Sequence, residues 1–310
     1  MRIVFMGTPE FAVAPLQCLL RDRHEIVAVY TQPDREAGRG RALASPPVKT
    51  AAERAGIPVF QPDRLRSTEE IDRLAAFKPE VIVVAAYGQI LREAVLNLPP
   101  QGCLNIHPSL LPLYRGVSPV PAAILHGDEF SGVSIMKLDK GVDTGPVLGQ
   151  LKVKVADWDN TGTMTEKLAV LGGQMLVDLL PRWTAGKIIP RFQDGTRASY
   201  TVKLEKKDGE IDWRKPAIEI WRQVRACQPW PGAVTRLLGK QLKIIEAVPL
   251  AGATTVPGKV VALQTKPGLG IETSSGILGL VQIQLEGKRV MNGEEFLRGQ
   301  RQMIGSEVTG

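Results

Sequence analysis

The chain has 310 residues, enough for two domains, and its 44% hydrophobic and 23% charged residues are typical of a soluble globular protein. It has no apolar run of the roughly 18 residues that a membrane span needs, and its N-terminus lacks the basic and apolar regions of a signal peptide. Its three cysteines are widely spaced and fit neither a disulfide framework nor a metal-ligand pattern. We therefore expect a cytoplasmic protein with no membrane segment and no metal site.

The chain opens with a predicted strand–helix–strand unit. Residues 2–7 and 25–30 have the apolar character of strands, and residues 9–20 have helical periodicity, with a kink or late start allowed by Pro15. Such a unit with a glycine turn is typical of a doubly wound α/β sheet. The turn at 7–11 lacks the G-x-G-x-x-G pattern, so we do not expect a dinucleotide site there.

The next segment, residues 31–47, is a long loop that carries Arg35, Arg39 and Arg41 among glycines and prolines. It is longer than a typical connection in an α/β sheet. Such a loop could be a solvated surface segment or could contact a phosphate backbone. Its length and its density of arginines favour binding.

The middle of the first half alternates helices, predicted at 48–55, 68–77 and 92–96, with strands at 58–60, 81–86 and 102–107. The apolar run at 81–86 is rich in β-branched residues and predicts a central parallel strand. Ligands of open α/β sheets bind beyond the carboxyl ends of the strands. We therefore expect the residues after this strand to line the ligand crevice: Tyr87, Gly88, Gln89 and Ile90.

Three polar residues are candidates for the chemistry. Asn105 and His107 are two apart on a predicted strand, so their side chains face the same way. Asp143 follows a second strand, predicted at 132–138, in a loop between glycines. An amide, an imidazole and a carboxylate at neighbouring strand ends predict a proton-handling site. Taken singly, Asn105 is better explained as a strand-end turn residue and His107 as a core histidine.

The remainder of the chain predicts a second domain. A strand at 151–155 and a helix at 163–180, ended by Pro181, complete the first domain, residues 1–201. A linker near 189–209 carries Lys203, Lys206 and Lys207. After a helix at 217–226, about five short strands separated by glycines predict a small β-barrel of oligonucleotide-binding (OB) type over residues 202–310.

The net charge of +7 is unevenly distributed. Lys and Arg exceed Asp and Glu by two over residues 1–201 and by five over the shorter stretch 202–310. A basic second domain suits a polyanion such as nucleic acid. Charge alone leaves a basic protein without such a partner equally open.

The motif NIHPSLLPLYRG, followed by GVSIMKLDKGVDTGPVL, resembles the catalytic signature of the folate-dependent formyltransferase family. The segments MRIVFMGTPEFA, QPDREAGRGR, AAYGQIL, IDW and QPWPGA also match in order, so the resemblance covers essentially the whole chain. It implies a Rossmann-like domain that transfers a formyl group from 10-formyltetrahydrofolate. It assigns catalysis to Asn105, His107 and Asp143, and folate binding to the segment Ser109, Leu110, Leu111 and Pro112.

The resemblance also implies the partner, initiator methionyl-tRNA, with the loop around Arg39 and Arg41 at its acceptor end. The basic second domain and the three linker lysines are expected to add RNA contacts. We expect a monomer and no metal. Two alternatives remain: a formyltransferase for an amino-sugar nucleotide, which would need neither the arginine loop nor the basic domain, and a non-catalytic RNA-binding homologue, which would not need the three catalytic residues.

The expected chemistry is attack of an amine on the formyl carbon, which generates an oxyanion. The amide of Asn105 and a protonated His107 can each donate a hydrogen bond to it. Asp143 has two possible roles at this point. It can keep His107 charged and oriented, because a nearby carboxylate raises the pKa of an imidazole, or it can accept the proton of the amine.

Overall fold

The computed structural model describes residues 1–22, 24–37 and 42–309. Arg39 and Arg41 lie outside the described residues. The chain forms two compact units. The first comprises Met1–Pro119, Phe130–Lys154 and Thr165–Thr201, and the second comprises Val120–Glu129, Val155–Met164 and Val202–Gly310.

The elements up to residue 201 are, in chain order, β1 (Arg2–Gly7), α1 (Val13–Arg21), β2 (Glu25–Tyr30), β3 (Arg35–Ala37), β4 (Ala42–Ala44), α2 (Pro47–Arg54), β5 (Val59–Phe60), α3 (Thr68–Ala76), β6 (Val81–Ala85), α4 (Glu93–Leu96), β7 (Cys103–His107), β8 (Arg115–Gly116), α5 (Pro119–His126), β9 (Phe130–Lys137), β10 (Val147–Lys154), α6 (Thr161–Thr184) and β11 (Tyr200–Thr201). The later elements are α7 (Ala217–Ala226), β12 (Ala233–Leu237), β13 (Lys240–Leu250), β14 (Val260–Ala262), β15 (Leu269–Glu272), β16 (Ile277–Leu285), β17 (Met291–Asn292), α8 (Gly293–Gly299) and β18 (Val308–Thr309).

The first unit is built on a sheet with the strand order β10-β9-β7-β6-β1-β2-β5. The five strands from β7 to β5 run parallel, and β9 and β10 add an antiparallel edge. All five residues of β6 are buried, as expected for a strand covered on both faces. The predicted doubly wound, Rossmann-like sheet is confirmed. Its strand order reverses between β1 and β6, so a crevice is expected beyond their carboxyl ends.

Helix α6 packs closely on the strand that carries Asn105 and His107. A Cβ atom on Gly172 of this helix would come within 2.7 Å of Ile106 Cγ2 and 3.0 Å of Val133 Cγ2, so the close approach of α6 to β7 and β9 needs a glycine.

Prolines occur near two helix boundaries. Pro181 does not end α6, because proline removes only its own N–H, and the last turn continues with Ala185 N–H donating to the Pro181 carbonyl at 3.2 Å. Helix α1 starts at Val13 after a short 3-10 turn, Glu10–Ala12, so Pro15 falls within the first turn, where proline is tolerated.

The second unit contains a curled antiparallel sheet with the strand order β14-β15-β16-β13-β12-β18, and β17 pairs with β16. The two edges approach each other through hydrogen bonds of 2.9 Å from Val260 N to Ser306 O and from Val308 N to Gly258 O. Its apolar interior includes Ile220 of α7 and Phe296 of α8, which are both fully buried. The predicted OB-like architecture is confirmed as a half-barrel.

No helix in the described ranges combines the length and the apolar character that crossing a bilayer requires.

Candidate active site

Strand β7 presents Asn105 and His107 on one face of the sheet. The two side chains are two positions apart and almost fully buried, with 9% and 4% of their surface exposed. Their strand is held between β6 and β9, where Asn105 is opposite Met136 and His107 opposite Ser134. The amide and the imidazole therefore have little freedom to move.

Asp143 comes to this face from the loop between β9 and β10. Its φ of +51° lies in the left-handed region, which costs a non-glycine residue about 1–2 kcal/mol, although Asp tolerates it better than most. Its Oδ1 lies 3.4 Å from Asn105 Nδ2, and its Oδ2 lies 3.6 Å from His107 Nδ1. The structure thus brings together the three residues that the sequence singled out.

The backbone around residue 116 supplies a further contact to Asp143. Gly116 N–H donates to Asp143 Oδ2 at 2.8 Å. Gly116 has a φ of +102°, and a Cβ atom there would lie 2.9 Å from the carbonyl oxygen of Thr201, on the strand that pairs with β8. Glycine is needed at this position by both the backbone angle and the available space.

The position of the His107 proton follows from its partner. Nε2 lies 2.9 Å from the Tyr114 carbonyl oxygen. A carbonyl can only accept, so Nε2 carries the hydrogen, and Nδ1 presents a lone pair toward Asp143 when the ring is neutral.

Opposing effects act on the pKa of His107. Burial lowers the pKa of His107 below its usual value, and this effect outweighs the Asp143 carboxylate and the Tyr114 carbonyl, which both raise it. This direction favours the neutral ring, whose Nδ1 lone pair can take up a proton.

The predicted folate segment after His107 is tightly bonded within the fold. The Ser109 hydroxyl donates to Leu113 O at 2.6 Å, and Ser109 O accepts from the Ser134 hydroxyl at 2.6 Å. Leu111 is buried, whereas Leu110 and Pro112 are half-buried. The Ser109 hydroxyl is therefore already engaged, and within this segment Leu110 and Pro112 are the partly exposed residues.

The second predicted folate segment divides into core and surface residues. Tyr87 is 1% exposed. The Gln89 amide accepts from Leu65 N–H at 2.8 Å and donates to Pro62 O at 3.0 Å. In contrast, Gly88 has a positive φ of 84° and the Ile90 side chain is 85% exposed. The Tyr87 and Gln89 side chains are thus committed to the fold, and Gly88 and Ile90 are accessible.

A basic groove of about 540 Å³ lies beside Gly88 and Ile90. Its lining combines four guanidinium groups with a single carboxylate, from Arg35, Arg64, Arg66, Arg92 and Asp63. Sequence reasoning identified only Arg35 among these arginines, because the others are dispersed over separate loops.

The predicted RNA-contacting residues are exposed where the structure describes them. Arg35 is exposed and donates from Nη2 to Gln32 Oε1 at 3.2 Å. Lys203, Lys206 and Lys207 are all exposed within one short stretch of the second unit. Lys207 also pairs with Glu205 at 2.8 Å, a surface ion pair that leaves 74% of the lysine side chain exposed.

The segment between α6 and residue 201, predicted as a linker, contacts the candidate site directly. Gln193 Nε2 donates to the backbone oxygens of Asp143 and Gly145 at 2.8 Å and 2.7 Å. Tyr200–Thr201 pairs with Arg115–Gly116 as a small parallel ladder. No local pattern marks Gln193, so sequence reasoning missed it.

Among the described residues, no group of three or more His, Cys, Asp or Glu side chains is placed to hold a metal ion.

Comparison with known proteins gives the family. The family described as "Formyl transferase" matches residues 1–180, and "Formyl transferase, C-terminal domain" matches residues 203–301. A methionyl-tRNA formyltransferase of Chloroflexus aurantiacus is 50% identical over 300 residues, which are 96% of this chain and 97% of that protein.

Solved structures share the fold. An N-formyltransferase from Helicobacter canadensis, in complex with folinic acid and dTDP-3-aminofucose, is similar with a TM-score of 0.65 and 19% identity, over 90% of this chain and 98% of that chain. HypX from Aquifex aeolicus, in complex with tetrahydrofolic acid, has a TM-score of 0.62 and 20% identity over 97% of this chain, which corresponds to 47% of HypX. With two family matches over nearly its whole length, this chain belongs to the formyl transferase family.

Proposed function

We propose that this protein transfers a formyl group from 10-formyltetrahydrofolate to the α-amino group of methionine on initiator methionyl-tRNA. The reaction class is supported by one observation, the proximity of Asp143 to both Asn105 and His107. The acceptor is supported by the 50% identity to a relative named methionyl-tRNA formyltransferase. A protein with this acceptor acts where tRNA is used, in the cytoplasm, and we expect a monomer.

Asn105 stabilises the charge that develops in the reaction. When the amine attacks the formyl carbon, the formyl oxygen becomes an oxyanion. The Asn105 amide has two hydrogens, and the one not directed at Asp143 Oδ1 can be donated to this oxygen. One donor of this kind stabilises a transition state by about 3 kcal/mol.

His107 and Asp143 handle the proton. Nδ1 of the neutral His107 accepts a proton from the attacking nitrogen, because Nε2 is held by the Tyr114 carbonyl. The imidazolium that forms lies 3.6 Å from Asp143 Oδ2, which stabilises its charge. The bond from the formyl carbon to the folate nitrogen then breaks. The folate nitrogen receives from His107 the proton that the amine gave up, which yields the formylated amine and tetrahydrofolate. This chemistry calls on no metal ion.

The formyl donor is placed against two surfaces of the first unit. Gly88 and Ile90 on one side, and Leu110 and Pro112 on the other, offer accessible backbone and apolar contacts for a flat ring system. In the adjoining groove, Arg64, Arg66 and Arg92 suit the carboxylates of the glutamate tail that tetrahydrofolate carries. We accordingly propose that Tyr87, Gln89, Ser109 and Leu111 shape this donor site through the backbone rather than through their side chains.

The acceptor is bound by positive charge. We propose that residues 1–201 catalyse the transfer and that residues 202–310 contact the tRNA, with the basic stretch near 189–209 joining the two functions. Lys203, Lys206 and Lys207 contact phosphates, and the loop of Arg35, Arg39 and Arg41 reaches the acceptor end. Contacts of this kind weaken as salt rises.

One assay tests this function and its alternatives. The protein is incubated with donor labelled in the formyl group and with either methionyl-tRNA or an amino-sugar nucleotide. We expect label on methionyl-tRNA only. Label on the sugar nucleotide alone would favour the sugar-modifying alternative, and label on neither would contradict catalysis altogether.

A further inference from the structure

The amide of Gln193 uses its whole hydrogen-bonding capacity next to the catalytic loop. Its Nε2 donates to Asp143 O at 2.8 Å and to Gly145 O at 2.7 Å. Its Oε1 accepts from Arg115 Nε at 3.1 Å and from Arg115 Nη2 at 2.9 Å. A primary amide has two hydrogens to donate and two lone pairs to accept with, so all four are used here.

This arrangement fixes the orientation of the amide. Backbone carbonyls can only accept and a guanidinium can only donate, so the reversed amide would face both partners with the wrong group. Arg115 is itself only 4% exposed. Its Nη1 donates to the Tyr200 hydroxyl at 2.9 Å, and its guanidinium lies 5.6 Å from the centre of the Tyr200 ring. The donor side of Gln193 is thus aimed by a buried, anchored cation.

The two carbonyls held by Gln193 flank Thr144 in the loop that carries the catalytic carboxylate. Asp143 adopts a left-handed backbone conformation, with φ of +51°, which its neighbours must maintain. Gly116 N–H holds the carboxylate group, and Gln193 holds the backbone on both sides of residue 144. Together they determine where Asp143 meets Asn105 and His107.

We infer that Gln193, oriented by Arg115, is a positioning residue for formyl transfer, and that it acts only through the Asp143 loop. This inference rests on the proposed function, since it takes Asp143 as catalytic. Gln193 touches neither the formyl group nor the amine in this scheme. Its role is to keep the Asp143 carboxylate within reach of His107 Nδ1.

The substitution Gln193→Glu tests this role with little change of shape. The new carboxylate keeps its contact with Arg115, but when ionised it has no hydrogens for the two carbonyls. We expect kcat to fall by about 10²-fold, the loss that a misplacement of about 1 Å can produce. KM for the donor and for methionyl-tRNA should stay within about twofold, because neither binding surface is changed.

A double-mutant cycle separates positioning from general damage. If Gln193 acts through Asp143, the substitution Gln193→Glu should cost less than about twofold in single-turnover rate once Asp143→Asn is present. A structural defect would instead slow both backgrounds by the same factor. Gln193→Met, which removes the hydrogen bonds without adding charge, takes the place of Gln193→Glu in the cycle if the latter does not fold, as judged by circular dichroism.

The matched control is Gln284→Glu. Gln284 also donates from Nε2 to a backbone carbonyl, that of Lys288 at 3.1 Å, but on a hairpin of the second unit. The substitution Gln284→Glu should leave kcat unchanged. Wild-type kcat in Gln193→Glu, or an equal loss on both Asp143 backgrounds, would overturn the inference while the function stands. A wild-type protein that does not formylate methionyl-tRNA would instead refute the proposed function.

Discussion

Two short segments, the Asp143 loop and the lysine turn formed by residues 203–210, are each held by a glutamine amide that donates to two backbone carbonyls. Gln193 donates to the carbonyls of Asp143 and Gly145, and Gln223 donates to those of Asp208 and Glu210 at 2.8 Å and 2.9 Å. In the first case the organised side chain points into a buried polar site. In the second, the side chains of Lys203, Lys206 and Lys207 are exposed to solvent.

This difference in exposure indicates the stage of the reaction at which each segment should act. A carboxylate held at short distances from an amide and an imidazole contributes after the substrates have bound. Exposed lysines contribute to the encounter with a polyanion and are screened by salt. Substitutions in the Asp143 loop should therefore change kcat, and substitutions in the lysine turn should change affinity.

The largest effect is expected for Asp143→Asn. The change keeps the size of the side chain but removes the charge that, in the proposed mechanism, stabilises the His107 imidazolium. We expect kcat to fall by about 10²- to 10⁴-fold, the range of general acid–base contributions. Binding of methionyl-tRNA, measured by filter retention, should stay within about twofold. A parallel loss of binding would mean that Asp143 maintains the structure and does not act in proton transfer.

The next largest effect is expected for Asn105→Leu, which removes the proposed oxyanion donor while it keeps most of the volume. We expect kcat to fall by about 10²- to 10³-fold, with KM for both substrates little changed. Steady-state kinetics measure both parameters. A rise in KM with an unchanged kcat would place Asn105 in ground-state binding instead.

A smaller effect of a different kind is expected for the lysine turn. When Lys203, Lys206 and Lys207 are all replaced by Ala, KM for methionyl-tRNA should rise while kcat at saturation stays normal. The slope of log affinity against log salt should become shallower by up to about three, because each lysine contributes about one.

The charge-matched control replaces Lys240, Lys266 and Lys288, which are exposed on the hairpins and loops of the barrel. It should change the salt slope less than the lysine turn does. An equal change would mean that RNA binding depends on the overall charge rather than on this turn.

The smallest effect is a shift in the titration of His107. Because burial outweighs the neighbouring carboxylate, NMR should give a pKa for His107 below the usual value of about 6.5. Asp143→Asn should lower this pKa further, since it removes a charge that raises it. Only two other histidines, His24 and His126, need to be distinguished. A His107 pKa that rises in Asp143→Asn would contradict the conclusion that the Asp143 carboxylate raises it.

Much of the fold was predictable because its signals are local. The buried run of β6 and the spacing of Asn105 and His107 each follow from a few adjacent residues. The acid at 143 was found because glycines and a strand surround it. The motif around Ser109 then pointed to the same crevice.

The remainder depends on contacts between distant residues. Gln193 lies 50 positions from Asp143, in a segment without periodicity, so nothing nearby indicated its role. The lowered pKa of His107 results from burial, which a sequence pattern does not measure. The lining of the basic groove comes from loops that only the folded sheet brings together.

The most direct test is a single-turnover measurement of formyl transfer, with enzyme in excess over methionyl-tRNA and at two salt concentrations. For Asp143→Asn, the account predicts a slow rate that neither more enzyme nor lower salt restores. For the triple lysine variant, it predicts a normal rate once enough enzyme is present. If added enzyme restored Asp143→Asn to the wild-type rate, the assignment of this loop to the chemical step would be wrong.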